Sequence, residues 1–144
     1  MFRGRLPISI APSSSRLAPI YANRGQLAKA YAKSGASYLR KGDVDGALAD
    51  FDRAIELQPQ APEALAGRAQ ANLKKGLAEK ALPDVEQALS LDPYDPFAHD
   101  TRAHILAALG RRKEAIAEYE KALALKPDLQ ESVDGLSALQ RGKP

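Results

Sequence analysis

Three stretches decide the fold once they are set in register. They are residues 42–59, GDVDGALADFDRAIELQP; residues 76–93, GLAEKALPDVEQALSLDP; and residues 110–127, GRRKEAIAEYEKALALKP. Each starts 34 residues after the one before, and the columns agree. Gly42, Gly76 and Gly110 align, as do Ala47, Ala81 and Ala115. Ala54, Ala88 and Ala122 follow, then Leu57, Leu91 and Leu125, then Pro59, Pro93 and Pro127. A fixed period of this length marks an array of supersecondary units, each too small to bury its own apolar face.

The columns predict two helices per unit. A glycine after a periodic apolar segment ends a helix, because it takes the left-handed conformation without a side-chain clash. Proline just past the second segment blocks continuation. Pro62 and Pro96 suit the first turn of the next helix, and Asp95 and Asp43 suit N-caps. Helices are expected near residues 28–41, 44–57, 62–75, 78–91, 96–109 and 112–125. The alanine columns predict close crossings. Ala47, Phe51 and Ala54 share one helix face, with Val85 and Tyr119 as the counterparts of Phe51. Leu129, Val133, Leu136 and Leu139 predict a further helix that covers the open end of the array, with Gly135 weakening it by ~1 kcal/mol relative to alanine.

Outside the repeats the composition excludes much. The 144 residues contain no cysteine, so thiolate metal sites, disulfides and cysteine nucleophiles are absent. No apolar run approaches the ~20 residues of a membrane span. The formal charge of +3 hides a division. Residues 1–42 carry Arg3, Arg5, Arg16, Arg24, Lys29, Lys33, Arg40 and Lys41 with no acid, a charge of +8. The remaining 13 basic and 18 acidic residues leave −5. The beginning of the chain is rich in Arg and Ser and contains Pro7 and Pro12. Three readings stay open for it: a mitochondrial or other organelle transit peptide, a plain tail, or an arm over residues 1–27 that docks through Leu6, Ile8, Ile10, Leu17, Ile20 and Tyr21. Without an address there, the expected location is cytoplasmic.

Tests for chemistry return little. His99 and His104 are the only histidines, and a spacing of five keeps them off one helix face, so no metal site is expected. Asp43 to Gly46 lacks the later ligands of a calcium loop. No phosphate-binding glycine loop and no serine–histidine–acid frame is present, so neither enzymatic activity nor a cofactor is expected. Arg111, Arg112 and Lys113 are expected in a solvated turn. Phe97, next to Pro96, is either an exposed anchor for a partner or a residue packed near Tyr94.

These residues resemble the tetratricopeptide repeat family. The first unit carries Tyr31, Gly35, Tyr38, Ala47, Phe51, Ala54 and Pro59 at the motif positions. The second carries Leu65, Ala69, Asn72, Ala81, Val85, Ala88 and Pro93. The third carries His99, Ala103, Leu106, Ala115, Tyr119, Ala122 and Pro127. The resemblance implies an all-α, right-handed superhelical solenoid: an N-terminal arm at 1–27, hairpins at 28–61, 62–95 and 96–129, and a capping helix and tail at 130–144. It also implies a non-catalytic adaptor that binds a protein segment in a concave groove lined by the first helices. The groove positions it implies are Lys29, Lys33 and Arg40, then Glu63, Gln70 and Lys74, then Phe97, Asp100 and His104. An acidic partner is expected at the basic N-terminal end. The positions with which some members hold a chaperone's C-terminal carboxylate are here Ala32, Ala36, Gly67, Phe97 and Thr101. None supplies a charged hydrogen bond, so that ligand is not expected. The competing function is binding of nucleic acid or an anionic membrane through the +8 region. Nucleic acid is disfavoured because few aromatics accompany the charges to stack bases.

Overall fold

A computed structural model describes residues 18–142, with side chains from Asn23 onward. Of the 1–27 segment read as transit peptide, tail or docking arm, residues 1–17 lie outside the described residues and residues 18–27 belong to a helix. Seven α-helices follow one another, with no strand among the described residues. They are α1 (Ala18–Arg40), α2 (Val44–Leu57), α3 (Pro62–Lys74), α4 (Ala78–Leu91), α5 (Pro96–Ala108), α6 (Arg112–Leu125) and α7 (Gln130–Arg141). α1 pairs with α2, α3 with α4 and α5 with α6, and α7 closes the far end. The chain is an all-α solenoid of three hairpins with a terminal helix.

The three glycines act as expected. Gly42, Gly76 and Gly110 have φ of +88°, +84° and +79°. Each lets the next amide reach back across the turn: Asp43 N to Tyr38 O at 2.9 Å, Leu77 N to Asn72 O at 2.8 Å, and Arg111 N to Leu106 O at 2.8 Å. Asp43 caps α2 by accepting from Gly46 N at 2.9 Å, and Asp95 caps α5 by accepting from Phe97 N at 2.9 Å. One boundary differs from the sequence reading. α1 begins at Ala18, ten residues before the expected start near 28. Its only proline, Pro19, lies in the first turn, where no intrahelical donor is required.

The alanine columns are the crossings. Ala47, Ala54, Ala81, Ala88, Ala115 and Ala122 are buried, as are Ala69 and Ala103 opposite them. The columns also show end effects. Asn72 and Leu106 are 1% and 0% exposed, whereas Tyr38, which shares their column, is 39% exposed. The face that carries Asn72 and Leu106 packs on the preceding hairpin; among the described residues no hairpin precedes α1. Asn72 accordingly brings an amide into a core position, and its Oδ1 has no partner.

A polar column also links the hairpins. Arg68 on α3 binds Asp84 on α4 through two hydrogen bonds (2.7 and 3.0 Å) and Asp52 on α2 at 2.9 Å. Arg102, 34 residues later, binds Glu118 on α6 at 2.8 Å and Glu86 on α4 at 3.0 Å. Each arginine thus ties a second helix of its own hairpin to that of the hairpin before.

Candidate functional site

Along the first helices runs a groove of about 730 Å³, lined by α1, α3 and α5. Its floor is made of small residues, chiefly Ala32, Ala36, Ala66 and Gly67. The floor is low for a steric reason. The buried Phe51 ring rises from α2 between α1 and α3 and occupies the space that side chains at 35 and 67 would take. A Cβ built on Gly35 would lie 2.9 Å from the ring, and one on Gly67 would lie 2.3 Å from it. Both glycines are therefore imposed by the aromatic residue beneath the groove.

The rim is charged. Lys29, Lys33 and Arg40 on α1 and Lys74 on α3 face Glu63 and Asp95. Four cations against two anions make the α1 side of the groove basic. Gln70 adds a neutral polar group, and Phe97 stands at the α5 side with 57% of its surface exposed. Of the nine groove positions that the sequence suggested, seven line this space. Asp100 and His104 do not.

Those two lie under the terminal helix. Their equivalents in the earlier repeats, Ala66 and Gln70, line the groove, but in the third repeat α7 packs across these positions. Ser132 Oγ on α7 donates to Asp100 Oδ1, and Ser132 is fully buried. His104 Nδ1–H donates to the Asp100 carbonyl at 3.0 Å, lies 3.3 Å from Asp100 Oδ2, and the ring meets Tyr119 edge-on at 5.1 Å. Gly135 is a packing residue too: a Cβ there would lie 2.4 Å from the Tyr119 ring. It repeats the Phe51–Gly67 arrangement, and α7 continues past it to Arg141. Arg112, expected in a solvated turn, donates instead to the Leu139 carbonyl from Nε and Nη2, at 3.1 and 2.7 Å, and ties α6 to α7.

The Asp100 carboxylate, through its hydrogen bond, holds the His104 imidazole above its usual 6.5, against the opposing effect of burial. A raised folded-state value stabilises the protein fully below the unfolded value, and the gain disappears as pH rises through the folded value. The melting temperature should therefore fall as pH rises from about 6.5 through the higher folded-state value, and fall less in His104→Gln. Thermal denaturation across that range checks this; identical slopes would refute a role for His104.

His99 fills the hairpin core. Its Nε2 lies 2.8 Å from the Pro93 carbonyl and its Nδ1 2.8 Å from Glu118 Oε1. Glu118 also meets Arg102 and, at 3.1 Å, Lys121. Burial acts to raise the Glu118 carboxyl, but hydrogen bonds from His99 and Lys121 and the Arg102 charge together hold it below its usual value. This cluster holds hairpins together and does not line the groove.

No helix among the described residues is long and apolar enough to cross a membrane. No curated protein matches the sequence. Solved structures do. The first TPR domain of human RPAP3 is 24% identical, with a TM-score of 0.75 over 81% of this chain and 92% of that one. The second TPR domain of human RPAP3, solved in complex with the HSP70 peptide SGPTIEEVD, is 27% identical, with a TM-score of 0.70 over 83% of this chain and 98% of that one. The O-GlcNAc transferase of Thermobaculum terrenum is 25% identical, with a TM-score of 0.77 over 81% of this chain but only 22% of the transferase. The tetratricopeptide repeat profiles match residues 33–96 and 96–129, the span that carries the glycine, alanine and proline columns. With the hairpins built on those columns, the chain belongs to the tetratricopeptide repeat family.

Proposed function

We propose that the protein is a non-catalytic adaptor whose groove binds an acidic segment of a partner protein. The observation that carries this reading is the pairing of a low, small-residue floor with four cations on the rim, three of them on α1. The floor admits the backbone and apolar side chains of a segment. The cations attract its carboxylates and set its direction, since charge complementarity governs approach and register more than raw affinity. Phe97 supplies an exposed aromatic at the other end of the groove, the residue type over-represented among binding hot spots.

The likeness to a domain bound to an HSP70 peptide supports an acidic peptide as ligand class. Ala32, Ala36, Gly67, Phe97 and Thr101 offer no cation, which argues against a terminal carboxylate held at those positions. Lys29, Lys33, Arg40 and Lys74 lie elsewhere in the same groove and suit carboxylates along a segment. The test is therefore made with chaperone tails included. Fluorescence polarisation would compare an acidic peptide with a free C-terminus, its amidated form and a neutral peptide of the same length. The acidic peptides should bind tighter than the neutral one, with amidation of little effect. Lys33→Glu with Lys74→Glu should weaken them about tenfold, equivalent to ~1.4 kcal/mol. Equal binding of the neutral peptide, or indifference to the double reversal, would overturn the reading.

A further inference from the structure

At its N-terminal end the solenoid has a face that its own register marks as incomplete. Leu27, Tyr31, Ser34 and Tyr38 lie at i, i+4, i+7 and i+11 along α1, on one side of the helix. Their counterparts in the third repeat include His99, Arg102 and Leu106, which pack against α4. Here Tyr31 packs in part against the first hairpin's core, but Leu27 and Tyr38 are 45% and 39% exposed. The polar column is incomplete at the same place. Asp84 and Glu118 each receive an arginine, Arg68 and Arg102. Asp50 stands in the same column, but the arginine position opposite it is Ser34, and among the described residues Asp50 makes no ion pair. The nearby Arg53 turns away from it, toward Glu56 at 3.2 Å and over the Tyr31 ring at 6.0 Å. At Leu27 and Tyr38 the face therefore lacks apolar cover, and beside Asp50 it lacks one cation.

We propose that residues 1–17 of this chain supply both, lying back along α1 as an extended strip. The segment has the required chemistry: Leu6, Ile8 and Ile10 alternate with Pro7 and Ser9, and Arg3 and Arg5 precede them with no acid before Asp43. In an extended chain, residues two apart lie ~6.6 Å apart, close to the ~6 Å rise of four helical residues, so this strip matches the i, i+4 spacing of the face. Length suffices as well. Twelve residues separate Leu6 from Ala18 and span up to ~40 Å, against ~30 Å from Ala18 to Tyr38 along the helix. Prolines 7 and 12 exclude a helix over the strip and favour the extended form. A second copy is a poorer occupant. The far end of the array presents Glu120 in the column of Asp52 and Glu86, with Leu136 at the arginine position. Stacking two copies end to end would bring acid toward acid.

The lack of native cysteine makes the test direct. Ser9→Cys in the full chain carries a spin label, and amide signals are followed by NMR. The signals of Leu27, Tyr31 and Tyr38 should lose at least half their intensity, independently of protein concentration, while those of α7 stay unchanged. Ile8→Asp with Ile10→Asp should restore them, and Asp50→Lys should restore them in part. These substitutions leave the hairpin crossings untouched, and unchanged α7 signals certify the fold. Three results would overturn the proposal: no broadening anywhere, broadening at Ala36 and Ala66 in the groove instead, or broadening only when labelled and isotope-enriched chains are mixed. The last would assign the face to a second copy.

Discussion

Replacing Glu118 by alanine is expected to destabilise the protein by about 3–5 kcal/mol, the usual loss when one partner of a buried ion pair is removed. Glu118 is 3% exposed and meets three donors-in-waiting from three directions: Arg102, Lys121 and the ring of His99. Alanine would leave Arg102 held by Glu86 alone and His99 Nδ1 without its partner. It would also open a cavity at the junction of the second and third hairpins. For a chain of this size the melting temperature should fall by roughly 10 °C. Glu118→Gln keeps the volume and some of the hydrogen bonding, so it should cost less. It should also change the pH response. A carboxyl held below its usual value contributes stability that is complete above the unfolded value and is lost as pH falls through the folded value. The glutamine variant should therefore lose less stability on acidification than the native protein. Chemical denaturation at neutral and acid pH decides it. A native-like midpoint for Glu118→Ala would show that solvent replaces the cluster without cost.

The hairpins were legible because backbone-breaking residues repeat. Gly42, Gly76 and Gly110 and the three prolines bound their helices by local chemistry alone. That chemistry does not depend on neighbours, and a single sequence displays it. The beginning of α1 carried no such signal. Residues 20–27 include Asn23 and Gly25, both weak in helix interiors, and match none of the repeat columns, so the sequence sets the helix start at the repeat boundary instead of at Ala18. The groove positions were legible in the first two repeats, where the implied frame holds. In the last repeat the frame holds at Phe97 but not at Asp100 and His104, because α7 packs across those two positions. Tyr38 shows the same effect in reverse: its column is buried only where a hairpin precedes. A repeating sequence describes the interior of an array, and its ends obey different neighbours.

Other features were present in the sequence and went unread. The acids at 50, 84 and 118, the acids at 52, 86 and 120, and the arginines at 68 and 102 all keep the 34-residue period. A comparison confined to apolar, glycine and proline columns passes over them. Charged residues on a helix are usually solvated, and only their repetition distinguishes these. By propensity, a local property, Gly135 is a weak helix former. Its purpose depends on Tyr119, sixteen residues before it, and the same interval separates Phe51 from Gly67. Between these two pairs the register sets Val85 against Thr101. Large side chains thus face glycine, and the smaller valine faces a residue that has a side chain.

That compensation yields a sharp test at the groove floor. Phe51→Ala should cost about 3–5 kcal/mol, as expected for deleting a buried phenylalanine ring. Gly67→Ala is a contest between two effects. Alanine favours the helix by ~1 kcal/mol relative to glycine. Its Cβ, however, would lie 2.3 Å from the Phe51 ring, which is itself enclosed by Gly35 on its other side. Overpacking of this kind costs ~1–3 kcal/mol, so the clash should prevail and the single variant should be destabilised. With Phe51 already alanine the ring is gone, and only the helix-favouring effect remains. Gly67→Ala should then stabilise the protein. The double-mutant cycle should accordingly show a coupling of at least ~1 kcal/mol, with the sign of the Gly67→Ala effect reversed between the two backgrounds. Additive losses in urea denaturation would mean that the ring yields freely to a methyl group. The same cycle reaches the groove. In the native background a displaced ring would rise into the floor and weaken peptide binding, whereas in the Phe51→Ala background the added methyl refills part of an emptied one. Binding and stability should therefore change sign together at residue 67, which a purely electrostatic groove would not require.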